Sequence, residues 1–391
     1  MNRQKIHWCV DWCVVILFLM CVLGTTTNLY LWDKVFHIAP LIIFVTLGIL
    51  FLNHISIKEC FRSKDKEFYL MSGGILLSGI NMILVHSRVG AIFTIADFLL
   101  ILYLADKVCF DKIQIRVIVA TCFLSWFYWQ FINKDVFGNT HFNSNTPPIF
   151  MLSFFFIFIS YVLCFWPARF QFSKWFYHII AVLCAVLLAK RAMDFRCRGV
   201  VLALIAWVFT YFFLPKKKAT IPLVIGLSLL FPALYVLISQ SGAVDGVIVY
   251  GKNFSSGREI IWSEFFKVFI HHPITGIGSN FDLMLPNLLP QILRATHHAL
   301  LDLLFVHGVP VFLIVLYLMH KRTEKIITSS SGLARNVCLA SVYGSLTIGT
   351  FENIYILSPY NMMFLMIFII YHRYLLEQTT IQESQPSRQS S

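Results

Sequence analysis

The stretch RATHHALLDLLFVHGVP, residues 294 to 310, is apolar enough to enter a membrane, yet it opens on Arg294, His297 and His298. An imidazole titrates near neutral pH and can take a proton from a hydroxyl nucleophile, so a histidine at the lip of a helical bundle suits a general base. Helical spacing sets His298 and Asp302 four residues apart, where they can pair; that pairing can equally be structural, with Thr296 and His297 capping the helix. His307 lies deeper and reads as structural. Glu352, in GTFENIYILSP, is a carboxylate at the end of another apolar segment, where ionisation is costly without an Arg or His partner.

Guanidinium groups form the second candidate set. The turn KRAMDFRCRG, residues 190 to 199, holds Lys190, Arg191, Arg196 and Arg198, and Arg258 follows SSG. A guanidinium stays charged at any accessible pH and grips phosphate through two parallel hydrogen bonds, which suits a pyrophosphate held at a membrane surface. Structural alternatives stay open: snorkelling to lipid headgroups for the turn, and a solvated side chain or an ion pair with Glu259 or Glu264 for Arg258. Four basic residues within nine favour a ligand over chance.

Composition says what must hold these groups. Of 391 residues 58% are hydrophobic and only 13% charged, with 38 phenylalanines, which excludes a soluble domain. The net charge of +12 is not gathered into a basic, aromatic-interleaved soluble module, so lipid topology and anionic lipid-borne ligands explain it better than nucleic acid. The ten cysteines are scattered through apolar runs without CxxC or zinc spacing and read as small buried hydrophobes. MNRQK precedes an apolar stretch without a small-x-small cleavage site, which predicts an uncleaved first helix.

Apolar runs of spanning length fall at about 9–28, 35–54, 68–86, 90–106, 116–133, 149–167, 175–190, 199–215, 220–239, 299–319, 334–351 and 360–376. With the N-terminus inside, 20 of the 31 basic residues lie on the cytoplasmic side, so the positive-inside rule predicts that both termini are cytoplasmic. The exceptions concentrate in the 190–199 turn and in a long external segment, about 240–298, between the ninth and tenth spans. Basic residues on the disfavoured side point to an anionic ligand there.

Within that segment SSGREIIWSEFFKVFIHHP has an apolar face at Ile260, Ile261, Phe265, Phe266, Val268 and Phe269, and predicts a helix at the interface capped by Ser255 or Ser256. GIGSNF, 276 to 281, predicts a Gly-rich turn, residues 133–148 a polar loop, and residues 379–391 a disordered cytoplasmic tail. Asp11 and Asp97 interrupt apolar spans and read first as helix-packing partners. The expected fold is all-α and polytopic: one transmembrane domain over 1–378, with about twelve helices. There is no P-loop, D-x-D or zinc motif, so no cofactor or metal is expected and energy must come from the substrate or a gradient.

Taken in order, these segments resemble the O-antigen ligase family, which is related to the O-antigen polymerases. That family has a pattern of His, a polar residue, nine residues, then Gly, matched here by His297, His298 and Gly308. A histidine fills the polar position, and Val311 stands where the family has a small or aromatic residue. CRGVVLALIA is similar to the family's Ser-Arg-Gly start of a span, with Cys197 for the serine; SSGREIIW resembles its external Ser-Gly-Arg segment, and HHPITGIGSNF its Pro-x-x-Gly-x-Gly turn. The likeness covers most of the chain in topology but about 198–311 in motif.

The resemblance implies a GT-C-like enzyme that moves a glycan from undecaprenyl pyrophosphate to the lipid A-core saccharide of lipopolysaccharide. The reaction is inverting, on the periplasmic face of a Gram-negative inner membrane, without ATP or metal. On that reading His297, Arg258 and Arg198 are catalytic; Arg191, Arg196, Arg294, His298 and Glu352 bind substrate or orient the catalytic groups. A polymerase shares the architecture and donor. A twelve-helix transporter is the rival of a different class, disfavoured by the lack of repeat symmetry and the external basic cluster.

Overall fold

The computed structural model describes residues 3–27, 30–85, 87–133, 145–170, 172–242, 247–249, 252–253, 257–281, 296–329, 332–352, 354 and 358–383. The helices are α1 (Arg3–Thr27), α2 (Tyr30–His54), α3 (Ile57–Ser63), α4 (Lys66–Leu84), α5 (Val89–Leu104), α6 (Lys112–Phe127, continued by a π-helical turn Tyr128–Ile132) and α7 (Thr146–Arg169). After these come α8 (Lys174–Asp194), α9 (Arg198–Phe212), α10 (Thr220–Gln240), α11 (Arg258–Phe269), α12 (Ala299–Ser329), α13 (Gly332–Gly349) and α14 (Ser358–Glu383). Apart from the two-residue antiparallel strands Ile248–Val249 and Lys252–Asn253, the described residues contain no strand.

Each of the twelve apolar runs read from the sequence overlies a helix. Among the described residues seven helices are long and apolar enough to cross a membrane, eight if the bent pair Ala39–His54 and Ile57–Ser63 is one span; Val89–Leu104 and Arg198–Phe212 are shorter apolar helices. The chain is therefore an all-α, multi-pass membrane protein. α7 forms the heart of the bundle, with most of Thr146–Pro167 buried. Peripheral helices present Leu52, Leu76, Ile83, Leu124, Ile205 and Leu237 outward, the exterior that hydrocarbon requires.

Small residues set the pairing of α9 against α13. A Cβ on Gly199 would come within 3.0 Å of Ile348 and Phe351, and Trp207 donates its indole N–H to Ser341 Oγ at 3.3 Å. Asp11 pairs with His54 at 2.6 Å and so ties α1 to α2, as a packing aspartate should. Asp97 is fully buried in α5.

The two ends of the bundle differ. At one end Arg322, only 3% exposed, pairs with Glu67 and Asp106, while Lys325 reaches Asp106 at 3.0 Å and Lys218 reaches Glu324 at 2.6 Å. The other end carries α11 and the Gly-rich turn. α11 buries Ile261, Trp262, Phe265 and Phe269 against Tyr235, Ile277, Leu301 and Phe305, and leaves Ile260 and Phe266 exposed. Its cap position is Gly257; Ser255 and Ser256 lie outside the described residues.

The turn fits into a break in α12. Gly308 has φ 78° and ψ 169°, which interrupts the helix and frees carbonyls on its N-terminal side. Ile277 N–H donates to Phe305 O at 2.7 Å, Asn81 Nδ2 to His307 O at 3.0 Å, and Val309 N–H to Pro273 O at 2.8 Å. A Cβ on Gly308 would stand 2.1 Å from Ile274 O, and one on Gly276 would stand 2.6 Å from Phe305 O, so both backbones need glycine to approach. Ser279 N–H then bonds Ser87 Oγ at 2.7 Å, fastening the turn to the α4–α5 junction. The deeper His307 is buried against Ser78, at 2.9 Å, a structural position.

Candidate active site

His297 is held between two pinned neighbours. Trp262, fully buried in α11, donates its indole N–H to Thr296 O at 2.6 Å. On the other side His298 Nε2 donates to Ser228 O in α10 at 2.9 Å, and its Nδ1 accepts from Leu301 N–H at 3.2 Å. With both flanks fixed, His297 takes the left-handed conformation at φ 50°, a region that costs about 1 kcal/mol or more for a non-glycine residue. Its ring is turned outward, with 31% of the side chain exposed.

Glu352, just beyond α13, is the group on which the site converges. Its Oε2 lies 3.7 Å from His297 Nδ1, and its Oε1 lies 3.6 Å from Arg258 Nη2 at the first residue of α11. Asn145, preceding α7, donates Nδ2 to the same Oε1 at 2.9 Å, and the Cys197 thiol faces Asn145 O at 3.9 Å. Arg198 opens α9 next to Cys197 and feels the charge of Arg258 directly. Four separate regions of the chain thus bring two guanidiniums, one imidazole and one carboxylate together.

Other residues read as site candidates go elsewhere. His298 is completely buried with both ring nitrogens bonded to backbone; it precedes the first helical residue, so the expected i,i+4 contact with Asp302 is replaced by a cap on Leu301. Burial, helped by the Arg258 charge, lowers its pKa to about 4 against the pull of its bond to Ser228, and the ring stays neutral at physiological pH. Asp302 accepts instead from Thr296 Oγ1 at 3.1 Å. Arg191 is buried, bonded to Trp129 O at 3.1 Å and to Asn133 O, paired with Asp194 at 3.6 Å and laid over the Phe195 ring; it clamps the end of α8 to the π-helical turn. Arg196 is exposed at φ 55°, and Arg294 lies outside the described residues.

Asn145 was not singled out from the sequence, where it lies in a polar loop before TPP; a side-chain amide one residue before a Pro-started helix was the available signal. A groove also adjoins the site. Between α9, α10 and α13 a cavity of about 310 Å³ runs past Phe209, Leu223, Leu227 and Leu346 and ends at Ser228 and Phe351, beside Glu352 and the His298 anchor.

Fold and site together define a multi-pass membrane protein with a cationic, histidine-bearing site at one end of its helical bundle. A family model described as O-antigen ligase matches residues 192–316, a segment containing Arg198, Arg258, His297, Gly276 and Gly308. Over these residues the chain is similar to the O-antigen ligase family, in agreement with the motif resemblance. No curated protein matches the chain.

Proposed function

We propose that this protein is an O-antigen ligase, which transfers a glycan from undecaprenyl pyrophosphate to a sugar hydroxyl of the lipid A-core during lipopolysaccharide synthesis. In this reading the chain crosses a Gram-negative inner membrane twelve times in a GT-C-like arrangement, with both termini cytoplasmic and Arg258, His297 and Glu352 on the periplasmic side. The observation that carries the reading is the Glu352 carboxylate set between His297 Nδ1 at 3.7 Å and Arg258 Nη2 at 3.6 Å.

A carboxylate on the Nδ1 side favours the tautomer with its proton there and leaves Nε2 as the base. His297 takes the proton of the acceptor hydroxyl as that oxygen attacks the anomeric carbon. The bond from the anomeric carbon to the phosphate oxygen breaks, its electron pair leaves with the pyrophosphate, and the configuration inverts. Charge grows on the leaving diphosphate, and Arg258 and Arg198 stand ready to meet it without reorganisation. Arg196 is exposed at the same turn and suits a contact to the phosphorylated core. The apolar groove ending at Phe351 suits the isoprene units nearest the pyrophosphate.

The test is reconstitution of the full chain with lipid-linked glycan and rough lipopolysaccharide, read as a gel-mobility shift of the acceptor. Wild type is expected to shift it without ATP or divalent metal, and His297→Ala to lower the rate by on the order of 10²–10⁴ while the protein stays inserted. Normal transfer by His297→Ala removes that residue from the mechanism. Lengthening of lipid-linked glycan without lipopolysaccharide identifies a polymerase instead.

A further inference from the structure

A second cavity, this one polar and of about 280 Å³, lies at the opposite end of α7 from Asn145 and Glu352. Its α7 residues, Tyr161 to Arg169, lie roughly 24–36 Å along the helix from Asn145 at 1.5 Å per residue, so this cavity is not part of the site above. It is lined by Lys112 and Arg116 from the first turns of α6, by Tyr161, Phe165, Trp166 and Arg169 from the end of α7, and by Arg373 and Glu377 from α14.

Its charge is unbalanced. Glu377 is shared by Arg373 at 3.0 Å and Lys112 at 3.4 Å. Arg169 is laid over the Phe170 ring, and neither Arg169 nor Arg116 makes an ion pair with any described residue. The nearby Asp111 is engaged in capping α6, accepting from Ile113 and Gln114 at 2.8 Å, and in a bond from Trp8 at 3.0 Å. Four cations therefore face one carboxylate within the cavity, and two of them are exposed guanidiniums, whose planar fork matches phosphate oxygens.

The surroundings choose the kind of phosphate. Trp166, Phe170, Phe172 and Trp175 are exposed around the α7–α8 turn, the arrangement of an aromatic belt at headgroup depth. Ile115, Tyr161 and Phe165 give the same cavity an apolar wall, which a soluble anion does not need and a glycerol backbone with its acyl chains does. We propose that this cavity is a binding site for the phosphate headgroup of an anionic phospholipid in the leaflet at that end of the bundle. The site is independent of the transfer reaction and of its donor.

Native mass spectrometry of the full-length protein, released from mixed micelles containing phosphatidylglycerol or phosphatidylethanolamine, reads the proposal directly. Wild type is expected to retain phosphatidylglycerol preferentially. Removing one cation near a membrane surface weakens an anionic-lipid contact about fivefold, so Arg116→Gln with Arg169→Gln should lose about 25-fold in that preference. Glu377→Gln removes the competing carboxylate and should strengthen retention about fivefold, a gain that misfolding does not produce and that decides the matter if the double variant is unstable. Lys217→Gln, an exposed charge outside the cavity, should change nothing. Equal retention of the two lipids, unaltered preference in both cavity variants, or an equal loss in Lys217→Gln would overturn the site. Tight binding of inorganic phosphate that displaces phosphatidylglycerol would overturn the lipid assignment.

Discussion

At the residue scale the organising atom pair is the Glu352 carboxylate, because one side chain orients both the proposed base and a proposed phosphate ligand. Arg258→Lys keeps the charge but loses the two-pronged grip, and should reduce kcat/KM for the lipid-linked donor by about tenfold or more; an unchanged value would mean a point charge suffices. His298 supplies a stability test. Its folded pKa is depressed to about 4 while an unfolded imidazole titrates near 6.5, so the unfolded state binds the extra proton first. Stability is therefore full above about pH 6.5 and falls as the pH drops towards about 4, by at most about 3 kcal/mol. Thermal unfolding from pH 7 to pH 4 should show that slope, and His298→Asn should flatten it. The sequence exposed His297 and Glu352 as polar groups where apolar ones were expected, but the His298–Asp302 pairing it suggested gives way to a cap on Leu301, since periodicity says nothing about a residue one step before its helix begins.

At the element scale, the broken α12 and the Gly-rich turn form one unit. The break frees carbonyls that the turn caps, and only two facing glycines allow the backbones so close. Gly308→Ala puts a methyl 2.1 Å from Ile274 O at a positive φ, and should destabilise the protein by about 2–4 kcal/mol with loss of the α11–α12 arrangement. A melting temperature unchanged from wild type would show that the turn is not seated in the break. The apolar runs, the amphipathic α11 and the turn itself were legible, because hydrophobic period and glycine placement are local signals. The Arg191 clamp was not: its partners Trp129 O and Asn133 O are backbone atoms about sixty residues away, exposed by a π-helical turn that no local pattern announces.

For the whole molecule, charge is sorted between the two ends. One carries the site, and the other carries a mesh in which Arg322 binds α12 to Glu67 and Asp106 from the ends of α4 and α5. Arg322→Met removes the shared partner of two carboxylates that are about one-fifth exposed, and solvent screening brings the cost to about 2 kcal/mol, measurable as a lower melting temperature with transfer activity retained. Loss of activity without a lower melting temperature would tie that end to the reaction. Helical segments were readable over the described residues, whereas the packing between them was not: α13 is rich in small residues, and its fit against α9 reflects tight contact with protein more than affinity for lipid.

Glu352 lies beyond the 192–316 segment that carries the family likeness, and Asn145, which grips it, lies before that segment. The segment is consequently not a portable module. Transplanted into another bundle it would bring its arginines and histidine but no acidic pivot to aim them, so any chimera must inherit the flanking ends of α7 and α13 as well.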